Sequence, residues 1–218
     1  MPSVSQIISF VNRKYPNAET DANKVSDLND IHKRVYVKIA KLKNEYEIYE
    51  TTTIANQLTY SLPSDCSIDN IIALKVSQST TITASTEWDE YEFAGLNDDT
   101  TTGYWYGDGG NNLIALLKDD LPISTAGLSI RLFYWKRPNA LSSANMSATP
   151  ELDEDYHDVL KFQLVSELAS QGQSPDTEIA DFWQRKADEF LAEVEENLKE
   201  RYNKAPTVRY TTVREEWG

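Results

Sequence analysis

The chain has 218 residues with 40% hydrophobic and 11% aromatic side chains, enough to build a core and unlike a disordered tail. Its 35 acidic and 21 basic groups leave a net charge of −14, which repels phosphate and argues against a protein that grips nucleic acid. No stretch nears the roughly 20 apolar residues of a membrane span. Met1 to Gln6 lack the basic start of a secretory signal, and Cys66 alone can form neither an intrachain disulfide nor a zinc cluster, which suits a reducing cytoplasm.

The first predicted element is a short amphipathic helix. Val4, Ile7, Ile8 and Val11 make one stripe at a 3.6-residue period, Ser3 and Gln6 have capping-box spacing, and Tyr15-Pro16-Asn17 stops the helix. A longer helix is expected from Asp21 or Ser26 to about Tyr46, with Val25, Leu28, His32, Val35, Ile39, Leu42 and Tyr46 inward. Lys33, Arg34, Lys38, Lys41 and Lys43 make it the basic element of an acidic chain.

The period changes from Thr51 to Arg137. Thr51-Thr52-Thr53-Ile54, Leu58 to Leu62, Ile71 to Val76, Tyr104-Trp105-Tyr106, Leu113 to Leu117 and Leu128 to Tyr134 are rich in β-branched and aromatic residues. The run Gly107 to Asn112 is a strong turn signal, so the region reads as at least five strands in an antiparallel sandwich or small barrel. Helix returns after a small-residue linker, Ser142 to Ala148. Thr149-Pro150-Glu151 reads as N-cap, first-turn proline and acid, and Leu152, Tyr156, Val159, Leu160, Leu164 and Leu168 form the buried stripe. Gly172 is a plausible cap and Pro175 lies in the restart. Ile179, Phe182, Trp183, Phe190, Leu191, Val194 and Leu198 then face inward on a last helix that should be the antiparallel neighbour of its predecessor. From Pro206 to Gly218 the helical period is absent.

The expected fold class is therefore α+β. An antiparallel helical bundle (residues 1–50 and 142–204) carries an inserted antiparallel β-rich domain (51–141) and an extended C-terminal arm (205–218). Residues 141–205 hold 15 acidic and 6 basic groups, so the late helices present an acid-rich face.

Catalytic chemistry finds little support. His32 falls within an apolar stripe, where a core histidine is the ordinary reading. Asp153 and His157, with Glu154 and Asp158 nearby, have the i, i+4 spacing of two metal ligands on one helix, but first-turn acids also complement the helix dipole and a third ligand motif is missing. Glu87, Asp89, Glu90 and Glu92 could be arranged as a glycosidase pair only by assuming a separation between them. Gly107-Asp108-Gly109-Gly110 lacks the lysine and spacing of a phosphate loop. No enzyme activity, cofactor or metal is expected.

Several segments, taken in order, resemble the head-to-tail adaptors of tailed bacteriophages. They are the helix opening Val25-Ser26-Asp27-Leu28, the Thr51-Thr52-Thr53 strand and the turn Tyr60-Ser61-Leu62-Pro63-Ser64-Asp65. The strand exit Tyr134 to Leu141 and the helix entry Pro150 to Asp158 follow. The resemblance implies a non-enzymatic ring subunit, twelve copies on a twelve-fold portal protein, joined to neighbouring copies of itself and to the tail or a further neck protein. DNA would pass through the channel without specific binding. It also implies a C-terminal arm that inserts into the portal, carried by Val208, Arg209, Tyr210, Thr211, Thr212, Val213 and Trp217. The residues independently permit such an arm to add a strand to a sheet edge. Glu193, Glu195 and Glu196 are the candidate channel-facing acids. The competing reading is a carbohydrate- or receptor-binding module of a phage tail that uses Trp88, Tyr91, Tyr104, Trp105 and Tyr106.

Overall fold

The computed structural model describes residues 1–93, 103–108, 112–171 and 175–203. Among the described residues, four α-helices and eight strands follow one another as blocks. Helices α1 (Val4–Lys14) and α2 (Asp21–Lys43) precede β1 (Glu47–Thr52), β2 (Thr59–Ser61), β3 (Ile71–Ser77), β4 (Trp88–Phe93), β5 (Tyr104–Asp108), β6 (Leu113–Lys118), β7 (Leu121–Pro122) and β8 (Ser129–Tyr134). Helices α3 (His157–Ser170) and α4 (Thr177–Asn203) follow.

The helices form where the local signals place them. In α1 the Ser3 hydroxyl accepts from the Gln6 amide at 3.4 Å and the Gln6 side chain accepts from the Ser3 amide at 2.9 Å, which satisfies two otherwise unpaired donors. All four residues of its predicted stripe are buried. They join Leu28, Ile31, Val35, Val159, Leu160, Leu164, Val165, Leu191 and Leu198 in one helix-built core. Phe10, Phe162, Trp183 and Phe190 meet beside it, with successive ring centroids 5.9, 5.4 and 6.5 Å apart for the Phe10–Trp183, Trp183–Phe162 and Phe162–Phe190 pairs.

The strands make one curled mixed sheet in the order β1-β8-β3-β4-β5-β6-β2, with β7 also paired to β6. Leu74, Val76, Tyr91, Trp105, Ile114, Leu116, Ile130, Leu132 and Tyr134 fill a second, strand-built core.

Four sequence expectations are corrected. The sheet is not wholly antiparallel, because β4 and β5 run parallel with Glu92 opposite Tyr104 and Phe93 opposite Trp105. Residues 94–103 separate these strands, too many for the tight hairpin that would force them antiparallel. Helix α2 ends at Lys43 rather than near Tyr46. Asn44 adopts the left-handed region (φ 54°) and its amide reaches the Ala40 and Lys41 carbonyls, a conformation that asparagine tolerates. The first strand consequently starts at Glu47, ahead of the threonine run. Finally, Thr149-Pro150-Glu151 does not start α3. The Leu152 amide turns back to the Pro150 carbonyl at 2.8 Å, a 3₁₀ turn spans Glu154–Tyr156, and the α-helix begins at His157. Gly172, expected as a cap, lies outside the described residues, while Asp176 accepts from the Ile179 amide at 3.1 Å at the start of α4.

Candidate functional site

The basic face of α2 is neutralised within the chain. Arg34 pairs with Glu167 at 3.1 Å, Lys38 with Glu195 at 2.5 Å, Lys43 with Asp153 at 2.6 Å and Lys33 with Asp30 at 3.5 Å. Lys41 lies over the Trp135 ring, 4.7 Å from its centroid. At least one partner in each ion pair is substantially solvent-exposed, so each pair contributes at most about 1 kcal/mol. What they decide is placement: acids of α3, α4 and the 151–156 turn are drawn onto α2. The hydrogen bond from Lys38 holds the Glu195 carboxyl below its ordinary range. Of the three candidate channel acids, Glu193 and Glu196 are exposed, whereas Glu195 is half-buried and tied to α2.

The two histidines are both 1% exposed and act on the same turn. His157 Nε2 lies 2.8 Å from the Leu152 carbonyl oxygen, and His32 Nε2 lies 3.4 Å from that of Glu151. Burial lowers both imidazoles below the ordinary histidine range. Asp153 precedes the helix that carries His157 and is engaged by Lys43, so the i, i+4 spacing of the two residues does not place them on one helix face. Among the described residues, no group of three or more His, Cys, Asp or Glu side chains is arranged to hold a metal ion. Cys66 is fully buried, and its thiol is pushed up to about 12 by desolvation, far from a nucleophile's range.

The aromatic residues of the β region do not share one platform. Tyr91 and Trp105 are core residues at 4% and 6% exposure, and Tyr104 and Tyr106 flank Trp105 on the opposite face of β5. Tyr104 donates to Asp120 at 2.8 Å, while Trp88 stacks beneath the Arg131 guanidinium at 4.2 Å. Of the neighbouring acids, Asp89 accepts from Gln78 at 2.6 Å and Lys118 at 3.0 Å, which holds its carboxyl low. Glu90 pairs with Lys75 at 3.2 Å, and Glu87 is exposed. An open groove of about 1020 Å³ lies here, lined among others by Asp69, Ile72, Trp88, Phe93, Trp105 and Lys118.

Exposed apolar side chains at the sheet edge were not anticipated. β1 is an edge strand, and Tyr46, Ile48 and Ile54 are 46%, 50% and 57% exposed, with the Tyr46 ring 5.9 Å from Phe133. The alternation Glu45-Tyr46-Glu47-Ile48 carried the signal for this strand, but only the sheet order shows that one of its edges is unpaired among the described residues. The predicted arm residues Val208, Arg209, Tyr210, Thr211, Thr212, Val213 and Trp217 lie outside the described residues.

The helical core, the sheet and the start of the C-terminal segment all fall within residues 2–211, the span matched by the family model described as SU10 adaptor protein. The chain belongs to the SU10 adaptor protein family. The resemblance to phage head-to-tail adaptors read from scattered motifs is thereby borne out along nearly the whole chain. No curated protein matches the sequence. Among the described residues of this SU10-family adaptor, no helix is long and apolar enough to cross a membrane.

Proposed function

We propose that this phage adaptor works in the virion neck, where twelve copies form a ring below the portal that joins the capsid to the tail and continues the DNA channel. The observation that carries this reading is the family match over residues 2–211, which takes in both cores rather than one shared motif. In this reading α1–α4 form an antiparallel bundle against the portal, the strand-built part is inserted between α2 and α3 and projects toward the tail, and residues 205–218 are an arm that docks on the portal. Neck assembly takes place in the host cytoplasm, and no catalytic step is assigned. The buried histidines and the buried Cys66 support a structural role, since none of them is placed to meet a substrate.

Electron microscopy of the chain mixed with portal tests the assignment. A ring of added density below the portal is expected, and its absence at saturating concentration would remove the reading. Deleting residues 206–218 should abolish docking while the monomer stays folded. For the channel acids, reversal of Glu193 and Glu196 is the clean test of DNA sliding, because reversing Glu195 also sets a lysine against Lys38.

A further inference from the structure

The turn joining the sheet to the late helices is held by an unusual device. Glu151 and Leu152 offer consecutive backbone carbonyls, and each faces a buried imidazole from a different helix: His32 of α2 and His157 of α3. In each ring the other nitrogen, Nδ1, is buried without a hydrogen-bond partner among the described residues. Two neutral imidazoles that donate through Nε2 satisfy the carbonyls, and each leaves an Nδ1 that has no acceptor for a second proton.

The same turn gathers ties from the other parts of the fold. The Glu151 carboxylate accepts from the side chain and amide of Asn139, just beyond β8, and lies 3.7 Å from Lys136. Asp153 is bound by Lys43 at the end of α2, and Glu154 by the Met1 ammonium at 3.0 Å. The 151–156 turn therefore ties the segment beyond β8, the end of α2 and the N-terminus to one another beside the two buried rings.

We propose that His32 and His157 form an acid-released latch on the 151–156 turn. Protonation of either ring places a charge in a buried site whose Nδ1–H has no acceptor, and a charge on one ring opposes a charge on the other. Around His32 the groups that bear on it are the Glu151 carboxylate, which favours the charged ring, and His157, which opposes it; the Tyr36 ring stands edge-on at 6.2 Å. Around His157, Glu154 favours the charged ring, and Lys161 and the Met1 ammonium oppose it. Desolvation outweighs these at both sites, so the closed turn binds fewer protons than the open one. The sign follows: the latch is fully effective above the ordinary histidine value of 6.5 and weakens as pH falls below it. With two protons taken up on opening, the open-to-closed ratio rises by up to about a hundredfold per pH unit in that window.

Hydrogen exchange of the full chain, corrected for intrinsic rates, tests the latch at pH 7.5 and 5.5. Amides from Leu152 to Val159 should lose protection at pH 5.5, and the loss should vanish in H32Q/H157Q, where glutamine keeps a donor at the Nε2 position but does not titrate. Unchanged protection in the wild-type chain, or an equal loss in the variant, overturns the proposal. Should the double variant fail to fold, histidine NMR titration of the native chain decides: midpoints below 6.5 for both rings uphold the latch, and a midpoint at or above 6.5 for either ring overturns it.

Discussion

Replacing Gly103 by alanine should destabilise the strand-built core through a single collision. A methyl group built on Gly103 meets Cε1 and Cζ of the Tyr91 ring in hard overlap and lies 2.7 Å from Cδ1, well inside ordinary van der Waals contact. Neither side can withdraw easily. The Tyr91 ring is 4% exposed within the core, and the Gly103 carbonyl accepts from the Glu92 amide at 3.0 Å, which ties the backbone to β4. Overpacking of this kind costs about 1–3 kcal/mol. For a chain of this size that corresponds to a fall in Tm of roughly 2–12 °C. Urea unfolding followed by tryptophan fluorescence measures it, and a cycle with Tyr91→Leu separates steric from conformational causes. Leucine ends short of the overlapping ring atoms, so G103A should cost at least about 1 kcal/mol less in the Y91L background. A G103A chain within about 0.5 kcal/mol of wild type, or a penalty unaffected by Y91L, would refute the collision as the cause.

Three further expectations rest on other parts of the fold. Leu164→Ala, at a fully buried position of the helical core, should lose about 2–5 kcal/mol in chemical unfolding. At the end of α2, Asn44→Gly should leave stability nearly unchanged, whereas Asn44→Val forces a β-branched residue to φ 54° and should cost about 1–2 kcal/mol; equal behaviour of the two would count against the left-handed cap. Cys66 should resist a thiol–disulfide reagent at pH 8 in the native chain and react once urea opens the core. Because its thiol is raised from 9.0 to about 12 on folding, the neutral form's stabilising contribution is present below pH 9 and is lost as pH rises toward 12, which alkaline unfolding curves of Cys66→Ala and wild type can compare.

Much of the helical part was legible because its signals are local. The stripe Val4, Ile7, Ile8 and Val11 and the Ser3–Gln6 box lie within a few residues of one another, and a 3.6-residue period turns such spacing directly into a buried face. Strand existence was legible for the same reason, as in Ile130, Leu132 and Tyr134, which alternate and are buried. The misplaced start of α3 shows where local reading ends. A proline and a first-turn acid favour a helix at residue 150, but two imidazoles, one of them 119 residues away in the chain, hold the carbonyls of Glu151 and Leu152 in a different turn. Among the candidate site residues, Glu193, Glu195 and Glu196 looked equivalent until the fold brought Lys38 against one of them.

The helix–strand–helix order, most of the buried helix stripes and the affinity to phage adaptors were determined by residue types at short spacings. Tyr46 and Phe182, expected to face inward, are nevertheless each 46% exposed, and the strand Trp88–Phe93 was not anticipated. The parallel pairing of β4 with β5, the open edge at β1, the histidine-held turn and the neutralised face of α2 were decided by tertiary structure alone. The physical reason is that pattern and propensity act over a few residues, whereas each of these features depends on contacts between groups far apart in the chain, whose meeting is selected by the packing of two cores.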